Sequence, residues 1–540
     1  MFDKNKKHIT KEDGRRMAPC ASPEHYLDIV CSHSPVVCRT IEEYGDVLLA
    51  DFLKDLAPDA GPSFQQRTDL VAVVYRYAAP LLGESMARKA SQDLAASPVV
   101  LTANHHGVDF FAQSVQGSLF FSLYKSNGNA SRATVPIFSC GSVPLDNLTY
   151  PLGLLLYHVN AAELGTLPKK MPVFSNRFRR TMVSVSGPIE ETMVKRAEAR
   201  VDKMVREKKI SPALEPHLQQ IFQEDYCSPA VMDLPSYSLQ SVVLNNRIWK
   251  RLFSKPLTAP EIVYLELEKI VLMLLEFDLL NPESLAWCVM FDSELRKAVL
   301  RELDRAKLCW NLNKLIQRLR MDRLDSSKKK ALNNCGTVLF WGINPSGRRI
   351  PLYLETHGKN GQMLRGIDDR DNLWELPFTP QSILNALNQN HLLPSLFTCF
   401  LVLSFARGIT CVGGYFQCEY LPMMQEGLVK ALQKTPGYHD IADLVEGVAT
   451  DTYLSGMQAV MTRIKEDTLI PAGPIEIIAG GGLTDDDIQQ ILSLTVRDAH
   501  LASLFETVPD VVPWAIKMPD WKKQLALDCC RILEGRVVIK

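Results

Sequence analysis

The chain reads as an α/β protein, a mostly parallel sheet core interrupted by a long helical insertion. Two observations predict this. Short apolar runs that close on glycine and polar residues, such as Pro98-Val99-Val100-Leu101 and Thr134-Val135-Pro136-Ile137-Phe138, alternate with stretches of helical periodicity. From residue 190 to residue 330, Val, Leu and Met instead recur among Lys, Arg and Glu at helical spacing.

Composition narrows the class. With 540 residues, 46% hydrophobic and 22% charged, there is enough sequence for two or three domains, or for one large core carrying an insertion. Sixty basic residues against sixty-one acidic ones give a formal net charge of -1, so no general attraction to nucleic acid or to a membrane surface is expected. Residues 1–16 are polar and of mixed charge, without the apolar core of a secretory signal, which predicts a cytoplasmic protein. No apolar run approaches the roughly 18 residues of a membrane span. The nearest, residues 392–402, contains Pro394, Ser395 and Thr398 and reads as buried core. Thirteen scattered cysteines without a Cys-x-x-Cys fit reduced thiols, and no metal site is predicted.

Taken in order, residues 1–95 form a lead-in and a helical cap. The first 40 look loosely packed, whereas Val47-Leu48-Leu49, Phe52-Leu53 and Leu56, and then residues 70–82, repeat at three- and four-residue steps, with Pro58, Gly61 and Pro62 marking a break. Residues 96–189 are the first part of the core. They hold the two runs above, a turn at Ser126-Asn127-Gly128-Asn129, and strand candidates at residues 171–174 and 181–186.

Residues 190–330 are the helical insertion, including an especially apolar stretch at 261–280 that packs on both sides or against a second subunit as a homodimer surface. The charges around Arg301, Arg305 and residues 318–330 are interspersed with acids and poor in aromatics, so they read as a solvated helix face and not as a nucleic-acid site.

Residues 331–540 are the second part of the core. Residues 335–343 and 350–354 flank the turn Asn344-Pro345-Ser346-Gly347 as a hairpin candidate, and a polar loop with His357, Lys359 and Arg365 follows at 355–371. Thr379 is placed as an N-cap with Pro380 as first helical residue. Pro474-Ile475-Glu476-Ile477-Ile478-Ala479 reads as a strand. The Gly480-Gly481-Gly482 after it lacks the Gly-Lys-Ser/Thr of a phosphate loop, so an ordinary turn and N-cap are expected.

The chemistry gathers at Leu101-Thr102-Ala103-Asn104-His105-His106-Gly107-Val108-Asp109-Phe110. A strand ending in polar residues beside a glycine is where an open α/β sheet places ligands. A neutral imidazole, His105 or His106, takes a proton from an amine, hydroxyl or thiol, while Asp109 or Asp146 fixes its tautomer. Asn104 and backbone amides near Gly107 or Gly141 hold developing negative charge, and Thr102 is a substrate-binding candidate beside them. Adjacent histidines point in different directions, so one of the pair faces a ligand and the other bonds to backbone or solvent. Cys140 reads as a buried small hydrophobe, with nucleophile as the alternative.

A second focus lies at residues 407–420, where Gly413 and Gly414 let backbone approach closely and Arg407, Gln417, Glu419 and Tyr420 supply polar groups. Arg407 either binds a carboxylate or phosphate or pairs with Glu419.

Several of these blocks resemble the bacillithiol-biosynthesis cysteine-adding enzymes, a family of cysteine ligases. The resemblance rests on Thr102-Ala103-Asn104-His105-His106-Gly107, residues 117–125 and Val135-Pro136-Ile137-Phe138, then on Leu393-Pro394 and Gly413-Gly414 with Gln417, Glu419 and Tyr420. It implies a Rossmann-like core with a long helical element, a cytoplasmic location, and ligase-like addition of cysteine to an amino-sugar conjugate. Any nucleotide cofactor is implied by this resemblance alone. Two segments depart from the family: its glutamine-rich glycine loop is here Asn104-His105-His106-Gly107, and its acidic loop after the Val-Pro strand is residues 139–146.

Residues 104–109 also resemble the Asn-His-x-x-x-x-Asp segment of glycerolipid acyltransferases. Only three residues separate His105 from Asp109, however, and no Pro-Glu-Gly-Thr segment follows, so acyltransferase is a third reading. The first is a cytoplasmic group-transfer or ligase-like enzyme joining an amino acid such as cysteine to an amine-bearing acceptor. The second is a non-catalytic small-molecule binder or scaffold on the same fold. Convergence of His105, Asp146 and Arg407 on one pocket favours the enzyme, and scatter favours the binder.

Overall fold

Val99-Val100-Leu101 is buried on both faces because sheet neighbours and helices enclose it entirely. In the computed structural model, which describes residues 22–56, 67–126, 134–159, 161–256, 259–305, 336–356, 361–512 and 521–540, this run is β1 (Val99–Leu101), the middle of a five-stranded sheet. The other strands are β2 (Thr134–Ser139), β3 (Glu261–Glu266), β4 (Thr410–Gly414) and β5 (Tyr453–Ser455). Their spatial order is β5-β4-β1-β2-β3, and every pairing is parallel. Leu101 lies opposite Ile137 on one side and Val412 on the other.

Period-two alternation sends successive strand residues to opposite faces, which builds two cores. Val99, Leu101, Ile137, Tyr264 and Val412 join one with α3 (Ala112–Ser126). Val100, Phe138, Val263, Leu265 and Cys411 join the other with α1 (Arg67–Leu82), α2 (Glu84–Ala96) and α5 (Leu267–Asp278). The molecule is therefore mixed α/β with helices on both faces of a parallel sheet.

The sheet corrects the expected boundaries of the helical insertion. Long helices do occupy much of it, including Glu191–Arg206 and α4 (Tyr237–Arg251), but Glu261–Glu266 is strand β3, paired along its whole length with β2. Ile262-Val263-Tyr264-Leu265 is buried on both faces, and a run with no polar face carries no period by which strand and helix can be told apart. Residues 306–335, which hold most of the charged series, lie outside the described residues, as do the breaks at 57–66 and the turn at 127–133.

Other elements also differ from expectation. Two packed helices, Pro23–His33 and Pro35–Tyr44, replace the loose lead-in from residue 22 onward; each starts with a serine N-cap followed by proline, and Val30 and Val37 are fully buried. The expected strand at 181–186 is a short 3-10 turn, Val183–Val185. Pro474–Ala479 is a helix, with Pro474 at its first turn. Of the polar loop at 355–371, residues 357–360, with His357 and Lys359, lie outside the described residues, and on either side Tyr353–Thr356 pairs antiparallel with Gln362–Ile367. By contrast, the expected hairpin forms, although its second strand is Arg349–Ile350 and residues 353–356 pair in another sheet; the Thr379 cap forms as the residues predict, and the turn after Gly480 leads to an N-cap, which Thr484 and Asp487 supply.

Candidate functional site

Strand order reverses between β1 and β4, since the chain runs outward from β1 through β2 to β3 and returns on the other side. The loops leaving the carboxyl ends of β1 and β4 diverge there, which opens a crevice. A cavity of about 510 Å³ occupies it. Thr102, Asn104 and His105 wall it from the β1 loop, and Gly414, Gln417 and Tyr420 from the β4 loop and the start of α6 (Gln417–Lys434).

Hydrogen bonding continues past the strand ends and fixes these walls. The Cys140 amide donates to the Asn104 carbonyl at 2.9 Å, and the His106 amide donates to the Cys140 carbonyl at 2.7 Å. Across the reversal, Gln417 Nε2 donates to Thr102 Oγ1 at 2.8 Å and to the Cys411 carbonyl at 3.0 Å. Gly413 makes room for this, because a Cβ there would stand 2.8 Å from the Gln417 side chain.

Three wall residues are left with a buried polar atom that has no hydrogen-bond partner among the described residues: Asn104 Oδ1, His105 Nδ1 and Gln417 Oε1. Asn104 is 1% exposed and Gln417 4%, so bulk water does not satisfy them. Each such group costs about 1–3 kcal/mol until something bonds to it. Burial also lowers the basicity of the His105 ring, opposed in part by a polar interaction with Asn147, so the ring is neutral at neutral pH.

The remaining walls are of mixed character. Leu148 and Phe416, 52% and 48% exposed, form an apolar rim, and the Arg349 guanidinium lies 4.6 Å from the Trp341 ring centre. On another wall the Tyr415 hydroxyl donates to Asp510, whose acidity burial weakens. Cys140 lines the cavity too. Its Sγ donates to Glu268 Oε1 at 3.3 Å, and burial, reinforced by the Glu268 charge, pushes the thiol well above its ordinary pKa.

Of the candidates read from sequence, Thr102, Asn104, His105, Gly414, Gln417 and Tyr420 line this cavity. The other seven do not. His106 is fully buried behind it; its Nδ1 hydrogen-bonds with Ser139 Oγ at 2.8 Å, and its Nε2 with the Ser238 carbonyl and hydroxyl, each at 3.0 Å. Burial lowers its pKa to about 4, and the ring acts as a neutral pin between the β1 loop, β2 and α4.

Asp109 bonds to neither histidine. Its carboxylate accepts from the Phe111 amide, Ser114 Oγ and Asn104 Nδ2, so it caps α3 and holds Asn104. Gly107 turns at a φ of 126°, against Pro151 and Tyr237.

Asp146 accepts from the Arg180 amide and pairs with Arg179. Arg407, at 0% exposure, is locked between Asp69 and Asp278 on the far side of the sheet core. Gly413 is filled by Gln417, and Glu419 accepts from Ser34. His105, Asp146 and Arg407 thus do not converge.

Trp341, Arg349 and Asp510 are cavity residues that carry no local motif; they arrive from a hairpin and a late helix by tertiary folding alone, whereas Tyr415 belongs to the segment after β4 that the sequence marks.

No family model matches this chain. Neither does any curated protein or any solved structure. Among the described residues no helix is long and apolar enough to cross a membrane, and no cluster of three metal-ligating side chains forms.

Proposed function

We propose that the protein is a cytoplasmic group-transfer enzyme on a Rossmann-like core, joining an acyl unit, such as that of an amino acid like cysteine, to an amine-bearing small metabolite. One observation carries the reading: Asn104 Oδ1, His105 Nδ1 and Gln417 Oε1 are unsatisfied on the walls of a single switch-point cavity. Two of these are amide oxygens and accept only, and a neutral imidazole nitrogen accepts when its proton sits on Nε2. Ligand amine and hydroxyl groups are donors of the kind these three atoms lack.

In this reading Asn104 and Gln417 hold the amine, and His105 takes its proton as the nitrogen attacks. The suppressed basicity of His105 keeps it free to accept that proton at neutral pH. Trp341, Leu148 and Phe416 cover the less polar part of the ligand.

A thermal-shift screen with amino sugars, cysteine, nucleotides and acyl-CoA tests it. A binding amine raises the melting temperature by mass action. Gln417→Leu is expected to weaken that shift. His105→Ala is expected to abolish turnover while a shift remains. A screen in which no amine binds, or in which the shift ignores Gln417→Leu, sinks the proposal.

The second reading is a binder without turnover. It is favoured by Asp109 and Asp146, which bond elsewhere, so that among the described residues no carboxylate bonds to His105 Nδ1. Ligand shifts that survive in every variant, with no product under any acyl donor, select this reading.

A further inference from the structure

Cys140 has no role in the reading above, yet it is the first residue past β2 and stands on the cavity wall, part-exposed. Its sulfur is not simply packed away. Sγ lies 3.3 Å from Glu268 Oε1 and donates to it. Glu268, 2% exposed at the start of α5, is held in place by two backbone amides, Gly141 to Oε2 at 2.6 Å and Ser142 to Oε1 at 2.8 Å.

The same cavity holds the unpartnered acceptors of Asn104 and Gln417, both more than nine-tenths buried. A nucleophile on the wall of a polar cleft therefore has a fixed carboxylate base behind it.

We propose that Cys140 is a covalent nucleophile and Glu268 its general base, and that the cleft takes an activated acyl compound, an ester, thioester or acyl phosphate, forming an acyl-thioester on Cys140. The sulfur attacks the acyl carbon and forms a C–S bond. The bond from that carbon to the leaving group breaks, the leaving group departs with its electron pair, and the thiol proton passes to Glu268. An amine then forms a C–N bond to the same carbon and the C–S bond breaks. The sulfur regains the proton from Glu268, while His105 receives the one the amine gives up.

This second half rests on the function proposed above. The first half does not. Burial and the neighbouring Glu266 raise the affinity of Glu268 for a proton, while burial and the Glu268 charge raise that of the Cys140 thiol, so the proton moves to the carboxylate as the sulfur attacks.

The test uses p-nitrophenyl acetate with the intact chain. A burst of p-nitrophenol equal to the protein present, together with one acetyl group on the peptide containing Cys140, is expected. Cys140→Ser should show no such burst, and Glu268→Gln should slow it about a hundredfold.

The peptide map of the parent needs no variant, so a folding failure of Glu268→Gln leaves the idea open to refutation. Acetyl groups on no cysteine, acetylation of Cys38 as fast as Cys140, or a folded Glu268→Gln with the parent's rate overturns it. Acetylation of Cys140 that persists in His105→Ala, while amine binding fails throughout the ligand screen, overturns the amine-binding reading and leaves the nucleophile standing.

Discussion

Gln417 bridges the reversal of strand order to Thr102. The 2.8 Å bond from its Nε2 to Thr102 Oγ1 joins the loop after β4 to the loop after β1, residues 315 positions apart in sequence. The cavity therefore owes its shape to a side chain as well as to the sheet, and Gln417→Leu removes both that bond and the one to the Cys411 carbonyl. A loss of about 1–2 kcal/mol in urea unfolding is expected. Gly413→Ala should act in the same direction, because its Cβ displaces Gln417.

Asp109 sits under the cavity with its pKa raised to about 6, mainly by burial, from the ordinary 3.8. Between those values the folded protein binds a proton that the unfolded chain has released. Stability from this group is thus complete below about pH 4 and is lost as pH rises through 6, by about 3 kcal/mol at most. Asp109→Asn does not titrate. Melting temperatures of the two proteins compared across this window should converge or cross in favour of the variant as pH rises.

His106 works in the opposite sense. Its folded pKa of about 4 lies below the ordinary 6.5, so the stability of the neutral ring is complete above pH 6.5 and is lost as pH falls toward 4. His106→Gln should flatten the acid limb of the stability profile. It should leave ligand binding at neutral pH nearly intact, since the ring faces Ser139 and Ser238 and not the cavity.

Arg407 is structural in this fold. Arg407→Met strands the buried carboxylate of Asp278 and should cost about 3–5 kcal/mol in chemical denaturation. The fraction that remains folded should bind cavity ligands as the parent does. A selective loss of ligand binding without loss of stability would return Arg407 to the site.

The two foci of the site are legible in the sequence because each is a local pattern: a polar, glycine-containing loop that closes an apolar run. Thr102, Asn104 and His105 on the first, and Gly414, Gln417 and Tyr420 on the second, reach the same cavity. Choosing between His105 and His106 lies beyond sequence, because adjacent side chains point apart and only the tertiary pairing of this loop with Cys140 decides which of the two faces the cavity. Arg407 misleads for a different reason. A guanidinium suits a ligand carboxylate and the pair Asp69 and Asp278 equally well, and only burial tells them apart.

By itself the sequence determined the α/β class, the places where strands close on polar loops, and the cap at Thr379, because these depend on side-chain periodicity and on bonds within a few residues. Tertiary structure alone decided that residues 261–266 complete the sheet, that β4 lies beside β1, and that Cys140 meets Glu268. Parallel neighbours are joined by long crossovers whose pairing leaves no local trace in the chain, so the contacts that make the cavity become readable only once the sheet has closed around it.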